Sequence, residues 1–366
     1  MSTKVGVHGI NDLIAVEKNS AYDYGMDTIA EVLQRYLLAH SDNLRDALAP
    51  LAEPTTSRFA RAGVASSARG MKGDEFARGV AQKTKGGADV GFPMEKLIYR
   101  LGWTLDYAKA ATPADMARKT ISVTIGNRQD ILVELRKALF LPTNYVFTDE
   151  LVDPNQDTQD LPVKRLINAD SFPIPASPFG VEFDTSSHTH YTGIDWAAAN
   201  AAAKAAAIDA LLDNVGEHYT DADIKLVLAS TNVSDISALT EFTPPTANYV
   251  QPVGATDQTQ TRATPSRTDN RLVGYWRGNY EIWSKPWGLA NYPLAINYNA
   301  PEKALKYRER GNAALRGLRL KSTFENAPLI TEFMEHEFGF GVWGRTAAAV
   351  LFMNDGAATY IAPSIS

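Results

Sequence analysis

Three glycines near the carboxyl end of the sequence stand at a spacing typical of dinucleotide-binding loops. Gly339, Gly341 and Gly344 match G-x-G-x-x-G within EFGFGVWGRTAAAVLFM. A loop of that kind follows a strand, opens a helix and is followed about 20 residues later by an acid that binds ribose. Here the segment after the motif suits a strand, and the position where the acid should stand is Ser364. We therefore predict no cofactor site and expect glycines where strands cross closely or bulge.

Two histidines at alternate positions are the second candidate for chemistry. On a strand, His188 and His190 in EFDTSSHTHYTG would point to the same face and could share a metal ion, with Asp184 nearby. The sequence offers no identifiable third ligand, so we expect a polar strand end or turn and assign no metal. A metal-dependent enzyme that uses both histidines stays open as an alternative.

Signatures of the common enzyme classes are missing from the sequence. It contains no cysteine, which excludes disulfides, thiolate metal sites and cysteine nucleophiles. It contains no G-x-S-x-G, no H-E-x-x-H and no Walker A pattern. We therefore expect no catalytic residues and a protein that is not an enzyme.

Composition and charge bound the partners that the protein could have. Of its 366 residues, 45% are hydrophobic and 21% charged, as in ordinary folded proteins, and the formal net charge is −6. Because there is no basic excess, we do not expect nucleic acid to be the main binding partner. No apolar run approaches the roughly 18 residues of a membrane helix, and the amino terminus lacks the pattern of a signal peptide. We expect a soluble protein, made in the cytoplasm, that does not bind membranes.

Residues 58–89 differ in composition from the rest of the chain. They hold six glycines, seven basic residues and three acids, with few large apolar side chains to form a core. The basic residues, which we predict to contact a neighbouring subunit, are Arg58, Arg61, Arg69, Lys72, Arg78, Lys83 and Lys85. Because acids are mixed among them and Phe59 and Phe76 are the only aromatic residues available for base stacking, contact with protein is favoured over contact with nucleic acid. The segment is either a disordered linker or an extended flap on another copy of the chain.

Periodicity and capping residues predict where helices and strands lie. Thr112 followed by Pro113 is typical of a helix start, and the apolar spacing that follows predicts a long helix over 112–140. An alanine-rich helix is expected over 195–215, capped by Asp195 and ended by Gly216. The other expected elements are an irregular arm at 1–21, a helix within 22–50, strands at 145–148, 165–169, 180–184, 225–230, 272–300, 315–326 and 331–362, and a short charged helix or turn at 301–311. Helices and strands mix without a βαβ rhythm, which predicts an α+β fold.

Three stretches, taken in order along the chain, carry a resemblance to a known family. They are GFPMEKLIYRLGWTLDYAKA with the long helix after it, FDTSSHTHYTGIDWAAANAAAKAAAI, and the segment from GNYEIWSKPWG to FGFGVWGRTAAAVLF. Together with the flap that precedes them, they resemble the major capsid protein of tailed bacteriophages, with the Hong Kong 97 fold, to which encapsulins are related. The resemblance implies an α+β capsid fold with an N-terminal arm, an extended E-loop, a long spine helix, and peripheral and axial domains.

The resemblance also implies a domain order. The implied divisions are an N-terminal arm at 1–57, an E-loop at 58–104, a peripheral domain at 105–194 with its spine helix at 112–140, an axial domain at 195–315, and peripheral C-terminal strands at 316–366. The polar loop at 243–271 is then a candidate for the tip of the axial domain.

The function that the resemblance implies is structural. Copies of the chain would assemble into pentamers and hexamers of an icosahedral or prolate shell, which encloses double-stranded phage DNA without binding a specific sequence. The implied partners are other copies of the chain together with scaffolding, portal and decoration proteins, and no cofactor is implied. The implied location is the virion capsid, after assembly in the host cytoplasm. An encapsulin-like shell of a protein nanocompartment stays open as the nearest alternative.

Overall fold

The computed structural model of the chain describes residues 9–16, 20–64, 85–149, 158–168, 170–245, 271–326, 329–354 and 360–365. The helices in these ranges are α1 (Ile10–Ile14), α2 (Ala21–Tyr24), α3 (Met26–Leu48), α4 (Leu105–Ala110), α5 (Pro113–Phe140), α6 (Ala201–Gly216) and α7 (Val233–Ser237). The strands are β1 (Ala52–Thr55), β2 (Phe59–Val64), β3 (Lys85–Gly91), β4 (Glu95–Thr104), β5 (Tyr145–Asp149), β6 (Gln159–Val163), β7 (Tyr191–Asp195), β8 (Ile224–Leu228), β9 (Phe242–Thr243), β10 (Arg271–Trp276), β11 (Tyr280–Ser284), β12 (Leu294–Asn297), β13 (Leu305–Arg308), β14 (Arg319–Asn326), β15 (Leu329–Val342) and β16 (Ala348–Asn354). Helices and strands are interspersed, so the predicted α+β class is confirmed.

The long helix α5 begins with the local signals that the sequence predicted. Thr112 Oγ1 accepts a hydrogen bond from the amide of Asp115 at 3.3 Å, and Asp115 Oδ2 accepts one from the amide of Thr112 at 3.1 Å. Pro113 occupies the first turn, where the missing amide proton costs nothing. With 28 residues the helix is about 42 Å long. The predicted spine helix is therefore confirmed.

Two large sheets organise the described strands. In the first, the order is β1-β13-β15-β14, and β4 also pairs with β15. The 14-residue strand β15 pairs with β4 antiparallel, from Leu329 opposite Thr104 to Phe338 opposite Glu95. In the second sheet, seven strands follow the order β7-β16-β12-β8-β11-β10-β9. Strands β2 and β3 form a separate pair, as do β5 and β6.

The seven-stranded sheet is buried on both faces. On one face, Val227 and Val350 belong to an apolar cluster that includes Leu135 of α5. On the other face, Leu226 and Leu351 belong to a cluster with the apolar side of α6. Because successive side chains of a strand point to opposite faces, burial of both faces explains the apolar run from Leu226 to Leu228 in β8. The sheet therefore lies between α5 and α6.

The predicted start of the alanine-rich helix is wrong. Asp195 ends β7, and its Oδ1 accepts a hydrogen bond from the amide of Ala198 at 3.1 Å in the turn that follows. The helix begins at Ala201 instead, where Asn200 Oδ1 accepts a hydrogen bond from the amide of Ala203 at 2.9 Å. Pairing of β7 with β16 holds Asp195 in an extended backbone, so the next polar residue becomes the helix cap.

The segment expected to form a charged helix or turn at 301–311 contains strand β13, which corrects that prediction. It pairs with β1 on one side and with β15 on the other. Its basic side chains reach acids on neighbouring elements: Lys306 Nζ lies 2.5 Å from Glu53 Oε2, and Arg308 Nη2 lies 2.8 Å from Asp149 Oδ2. Backbone pairing on both sides outweighs the local preference of charged residues for a turn.

Three other local predictions are also wrong. Residues 166–167 form a turn that buries Leu166 and Ile167, where a strand was expected at 165–169. Residues 180–184 do not form the expected strand, because the amide of Gly180 donates to the carbonyl of Ser177 at 2.8 Å and closes a local turn. The arm expected to be irregular at 1–21 contains α1 and the start of α2.

Candidate subunit-contact surface and histidine cluster

The segment predicted as a flap begins and ends in an antiparallel hairpin. Strands β2 and β3 pair from Phe59 opposite Gly91 to Val64 opposite Lys85, with a bulge after Ala62. The predicted contact residues Arg69, Lys72, Arg78 and Lys83 lie outside the described residues. The hairpin stem is therefore the part of the flap on which the structure gives geometry, and it carries Arg61 together with the backbone of Lys85.

The root of the hairpin is held by hydrogen bonds to the backbone of Phe92. The amide of Phe92 donates to the carbonyl of Arg58 at 2.7 Å, and Arg308 Nη1 donates to the carbonyl of Phe92 at 2.7 Å. The ring of Phe92 is buried and packs edge-on against Trp343, with 6.1 Å between the ring centroids. These contacts fix the direction in which the hairpin leaves the body of the protein.

A buried carboxylate reinforces this root. Asp149 is fully buried, with its Oδ2 2.8 Å from Arg308 Nη2 and 3.5 Å from Arg58 Nε. Burial is the main cause that lowers the pKa of Arg308, while the hydrogen bond and charge of Asp149 oppose that shift. Arg58 therefore has an ionic partner in its own chain, and its contact with a neighbouring subunit stays a prediction.

Arg61 is the predicted contact residue that the structure leaves exposed on the hairpin. It stands opposite the exposed residue Asp89 in the strand pairing. A Cβ at Gly87 would lie 2.8 Å from Arg61 Nε and 2.9 Å from the carbonyl oxygen of Ala62, so this position needs glycine. The Arg61 side chain thus lies across the partner strand, on the outer surface of the hairpin.

Several large apolar side chains are exposed on the body of the protein. The most exposed are Phe179 at 76%, Val146 at 62%, Val181 at 58%, Ile98 at 57% and Ile125 at 56%. They lie on α5, on strands β4 and β5, and in the turn at 177–181. Single exposed apolar side chains are common on folded proteins, so these residues support contact with another protein surface only where a substitution changes assembly.

The three glycines of the G-x-G-x-x-G spacing lie where backbones approach closely. A Cβ at Gly339 would lie 2.2 Å from the carbonyl oxygen of Pro93, and one at Gly344 would lie 2.8 Å from that of Glu302. Gly339 and Gly341 belong to β15, and the chain after Gly344 makes one 3₁₀ turn and enters β16. The expected close approach is present at Gly339 and Gly344, where the chain passes the backbone of Pro93 and Glu302. After the 3₁₀ turn the chain continues into β16 rather than into the α-helix of a dinucleotide loop.

The structure brings a third histidine to the pair that the sequence singled out. His218, just after α6, lies beside His188 and His190, and one ring nitrogen of each histidine lies within 4.8 Å of the others. His188 and His190 precede β7 and are not part of a strand, which agrees with the expected polar strand end or turn. The cluster offers three imidazoles of the kind that bind zinc.

Sequence reasoning misses His218 because it is distant from the other two histidines along the chain. One signal could have found it. Helix α6 follows β7 and packs on the same sheet, and a helix that packs back along the preceding strand returns its last turn to the start of that strand. This geometry brings residues that follow Gly216 next to residues that precede Tyr191.

Within the described part of the chain, no helix has both the length and the apolar character needed to cross a membrane.

Comparison with models of protein families finds no match, and comparison with curated protein sequences finds none either. Solved structures do match. The chain aligns with a structure from Mycobacterium phage Patience at a TM-score of 0.62 and 17% identity, over 99% of this chain and 96% of that one. It also aligns with the capsid of cyanophage P-SCSP1u at a TM-score of 0.47 and 10% identity, over 84% and 86% of the two chains. The SrpI encapsulin from Synechococcus elongatus aligns at 0.43 and 13% identity, over 84% and 87%.

The solved structures that match include a phage capsid and an encapsulin. The chain has the Hong Kong 97-like capsid fold that the resemblance in its sequence implied. An identity of 17% establishes the fold rather than the function.

Proposed function

We propose that this protein is a structural major capsid protein and not an enzyme. Copies assemble into pentamers and hexamers of a closed shell around double-stranded phage DNA, in the host cytoplasm, and the shell becomes the virion capsid. The observation that carries the proposal is the alignment of 99% of this chain with 96% of the structure from Mycobacterium phage Patience.

The hairpin supports the part of the proposal that concerns self-assembly. Strands β2 and β3 pair with each other and with no third strand among the described residues. A two-stranded hairpin is marginal by itself and leaves two edges open, so it gains stability by lying on a neighbouring copy. Each subunit then gives one flap and receives one, which is a heterologous contact that can close into a ring. In this proposal Arg61 and the other basic residues of the flap pair with acids on the neighbour.

The charge of the chain is compatible with a shell that encloses DNA without binding it. The net charge of the chain is −6, so the protein lacks the excess of basic residues that binds DNA phosphates and releases their counterions. The wall of the shell would therefore not hold the packaged DNA in place. The shell therefore encloses DNA without recognising a particular base sequence. Scaffolding, portal and decoration proteins are the further partners that a shell of this class uses, and we propose them as such.

We propose the domain division with one adjustment to sheet membership. The expected axial segment at 195–315 contributes β8 to β12, and β7 and β16 from the expected peripheral segments belong to the same sheet. We therefore assign these two strands to the sheet of the axial domain. The arm at 1–57, the E-loop at 58–104 and the spine helix keep their proposed places, while most of the expected axial tip at 243–271 lies outside the described residues.

The nearest alternative is the shell of an encapsulin-like nanocompartment, which encloses a cargo enzyme. Two measurements separate it from a phage capsid. Genes for a portal and a terminase next to the gene of this protein favour a phage. Nuclease-resistant double-stranded DNA inside particles purified from the native source favours a phage as well, whereas a packed enzyme favours the nanocompartment.

The experiment that tests self-assembly replaces the flap without disturbing its root. Residues 63–87 are replaced by Asn-Gly, which joins the paired residues Ala62 and Ala88 through a two-residue turn of the preferred type. Wild-type protein is expected to form closed particles by negative-stain electron microscopy and sedimentation velocity. The variant is expected to keep its folded spectrum by circular dichroism and to lose the particles.

The control for this experiment keeps the length of the flap. A variant with the basic residues of 63–87 changed to glutamine retains the chain length and tests charge alone, so partial assembly is expected. Closed particles from the Asn-Gly variant would disprove the role of the flap. A wild-type protein that stays a compact monomer at high concentration, with the flap packed against its own body, would disprove the shell itself.

A further inference from the structure

Three imidazoles meet between the end of α6 and the segment that leads into β7. The ring centroids of His188 and His190 are 4.9 Å apart, those of His188 and His218 5.2 Å, and those of His190 and His218 5.4 Å. The ring of Phe183 covers two of them, with its centroid 4.8 Å from His188 and 4.4 Å from His218. The cluster thus has an aromatic cover over polar groups.

One distance in the cluster has the length expected for two ligands of one metal ion. The Nε2 atoms of His188 and His218 are 3.2 Å apart. A tetrahedral zinc ion with Zn–N distances of about 2.0–2.1 Å holds its ligand nitrogens about 3.3–3.4 Å apart. The separation of the two Nε2 atoms is therefore already close to the separation that a bound zinc ion requires.

Two ring nitrogens of the cluster lack a partner where they are buried. His190 is 1% exposed, and its Nε2 has no hydrogen-bond partner among the described residues. His218 Nδ1 is also buried without a hydrogen-bond partner among the described residues. A buried polar atom without a partner destabilises the folded state, so the unsatisfied Nε2 of His190, beside two other imidazoles, points to a ligand.

The charge state of the rings suits a cation. Burial lowers the pKa of all three histidines, to about 4 in His218 and well below the ordinary value in His190, where the positive charges of His218, His188 and Arg345 add to the effect. The rings are therefore neutral near pH 7, with lone pairs that a metal can accept. One acid is close, since Glu217 Oε1 lies 3.7 Å from His188 Nε2 and 3.9 Å from His218 Nε2.

We propose that His188, His190 and His218 bind one zinc ion, with the carboxylate of Glu217 as the fourth ligand. Three histidines and a carboxylate complete a tetrahedral site, and a site without an open position is structural rather than catalytic. The ion ties the last turn of α6 to the chain segment before β7. This proposal concerns the single subunit and does not depend on shell assembly.

Backbone contacts already hold both segments in place for such a site. The carbonyl of His190 accepts a hydrogen bond from the amide of Val350 in β16 at 2.9 Å. Asn214 Nδ2, on the last part of α6, donates to the carbonyl of Thr189 at 2.9 Å. The amide of His188 donates to the carbonyl of Asp184 at 2.8 Å. The ligands are thus pre-positioned, so little order needs to be created when the ion binds.

The test uses the untagged full-length protein, stripped with a chelator and titrated with zinc chloride by calorimetry. We expect one zinc per chain and a melting temperature that rises with zinc concentration. His188→Gln is the variant of choice, because its side chain is 15% exposed and its loss disturbs packing least. It should weaken zinc binding by at least about tenfold, since even loss of a residue that only orients a ligand costs about 10–100-fold.

The control is His40→Gln, which changes a histidine outside the cluster whose Nε2 lies 3.3 Å from Asn127 Oδ1. It should bind zinc as tightly as the wild type. If His188→Gln fails to fold, cobalt-loaded wild-type protein decides: visible absorption bands of tetrahedral cobalt support the site, and their absence overturns it. No zinc binding by the wild type, or equal binding by His188→Gln, also overturns the proposal and leaves a cluster of hydrogen-bonded histidines.

Discussion

The buried guanidinium of Arg345 and the half-buried carboxylate of Asp170 form a two-pronged ion pair, with Nη1 2.6 Å from Oδ1 and Nη2 3.2 Å from Oδ2. Arg345 Nη1 also donates to the carbonyl of Asn168 at 3.0 Å, and its guanidinium lies over the ring of Phe172, 4.8 Å from the centroid. The pair joins the turn before β16 to the loop after β6. Burial favours the neutral form of Asp170, yet the hydrogen bonds and charge of Arg345 prevail and lower its pKa to about 2.

Asp170→Asn should destabilise the folded subunit by about 3–5 kcal/mol, because it leaves the buried guanidinium of Arg345 without its counter-charge. Urea unfolding of dissociated subunits measures the loss. Asp106→Asn is the matched control: the Asp106 side chain is 92% exposed, so the change should stay within about 0.5 kcal/mol. Equal stability of the two variants would contradict the importance of the Arg345 pair.

His336 predicts a dependence of stability on pH. Asn127 Nδ2 donates to His336 Nδ1 at 2.9 Å, and His336 Nε2 lies 3.2 Å from the hydroxyl oxygen of Tyr307. Burial is the main cause that lowers the pKa of His336, from 6.5 to about 3, and the positive charges of His40, Arg45 and Arg319 add to it. Between these two pKa values the unfolded chain binds a proton at this residue that the folded chain does not.

The free energy of unfolding should therefore fall as the pH falls from 6.5 towards 3, by at most about 1.4 kcal/mol per pH unit from this group. His336→Gln removes the titrating group, so the slope between about pH 4 and 6 should be smaller in the variant than in the wild type. Denaturant titrations at a series of pH values measure both slopes. Identical slopes would show that His336 does not stay neutral in the folded state.

Two glycines should respond with opposite signs to the same substitution. Gly339→Ala should cost about 1–3 kcal/mol or more, because its Cβ would lie 2.2 Å from the carbonyl oxygen of Pro93. Gly126→Ala in α5 should stabilise by about 0.5–1 kcal/mol, because nothing lies within 4 Å of its Cβ and alanine favours a helix. Thermal unfolding of dissociated subunits compares them. A tolerated Gly339→Ala would refute close packing of β15 against the segment before β4.

Phe179 tests the exposed apolar surface, and this prediction rests on the proposed function. Because its side chain is 76% exposed, Phe179→Ser should change the stability of the subunit by no more than about 0.5 kcal/mol. If the side chain contacts a neighbouring subunit, the variant should need a higher protein concentration to form particles. Phe179→Leu, which keeps an apolar group, should assemble nearly as the wild type does. Sedimentation velocity over a concentration series measures both, and unchanged assembly of Phe179→Ser would remove this residue from the contact surface.

Features that depend on neighbouring residues in the chain could be predicted from the sequence. The capping pair Thr112 and Asp115 and the apolar periodicity after them suffice to place α5, because a helix closes its hydrogen bonds within one segment. The order of the flap, the long helix and the later segments along the chain was also enough to recognise the resemblance to the capsid fold. The polar, glycine-rich composition of residues 58–89 indicated a segment without a core, and its ends form a simple hairpin.

Features that depend on distant residues were decided by the tertiary structure alone. The charged segment at 301–311 became a strand because β1 and β15 offered backbone partners on both sides. Arg58 lies beside Asp149, and His218 lies beside His188 and His190, because packing of the helices and strands brings these residues together. Such contacts join residues that are far apart in the chain, and their free energy comes from burying those residues together. The local preferences of the sequence therefore cannot predict them.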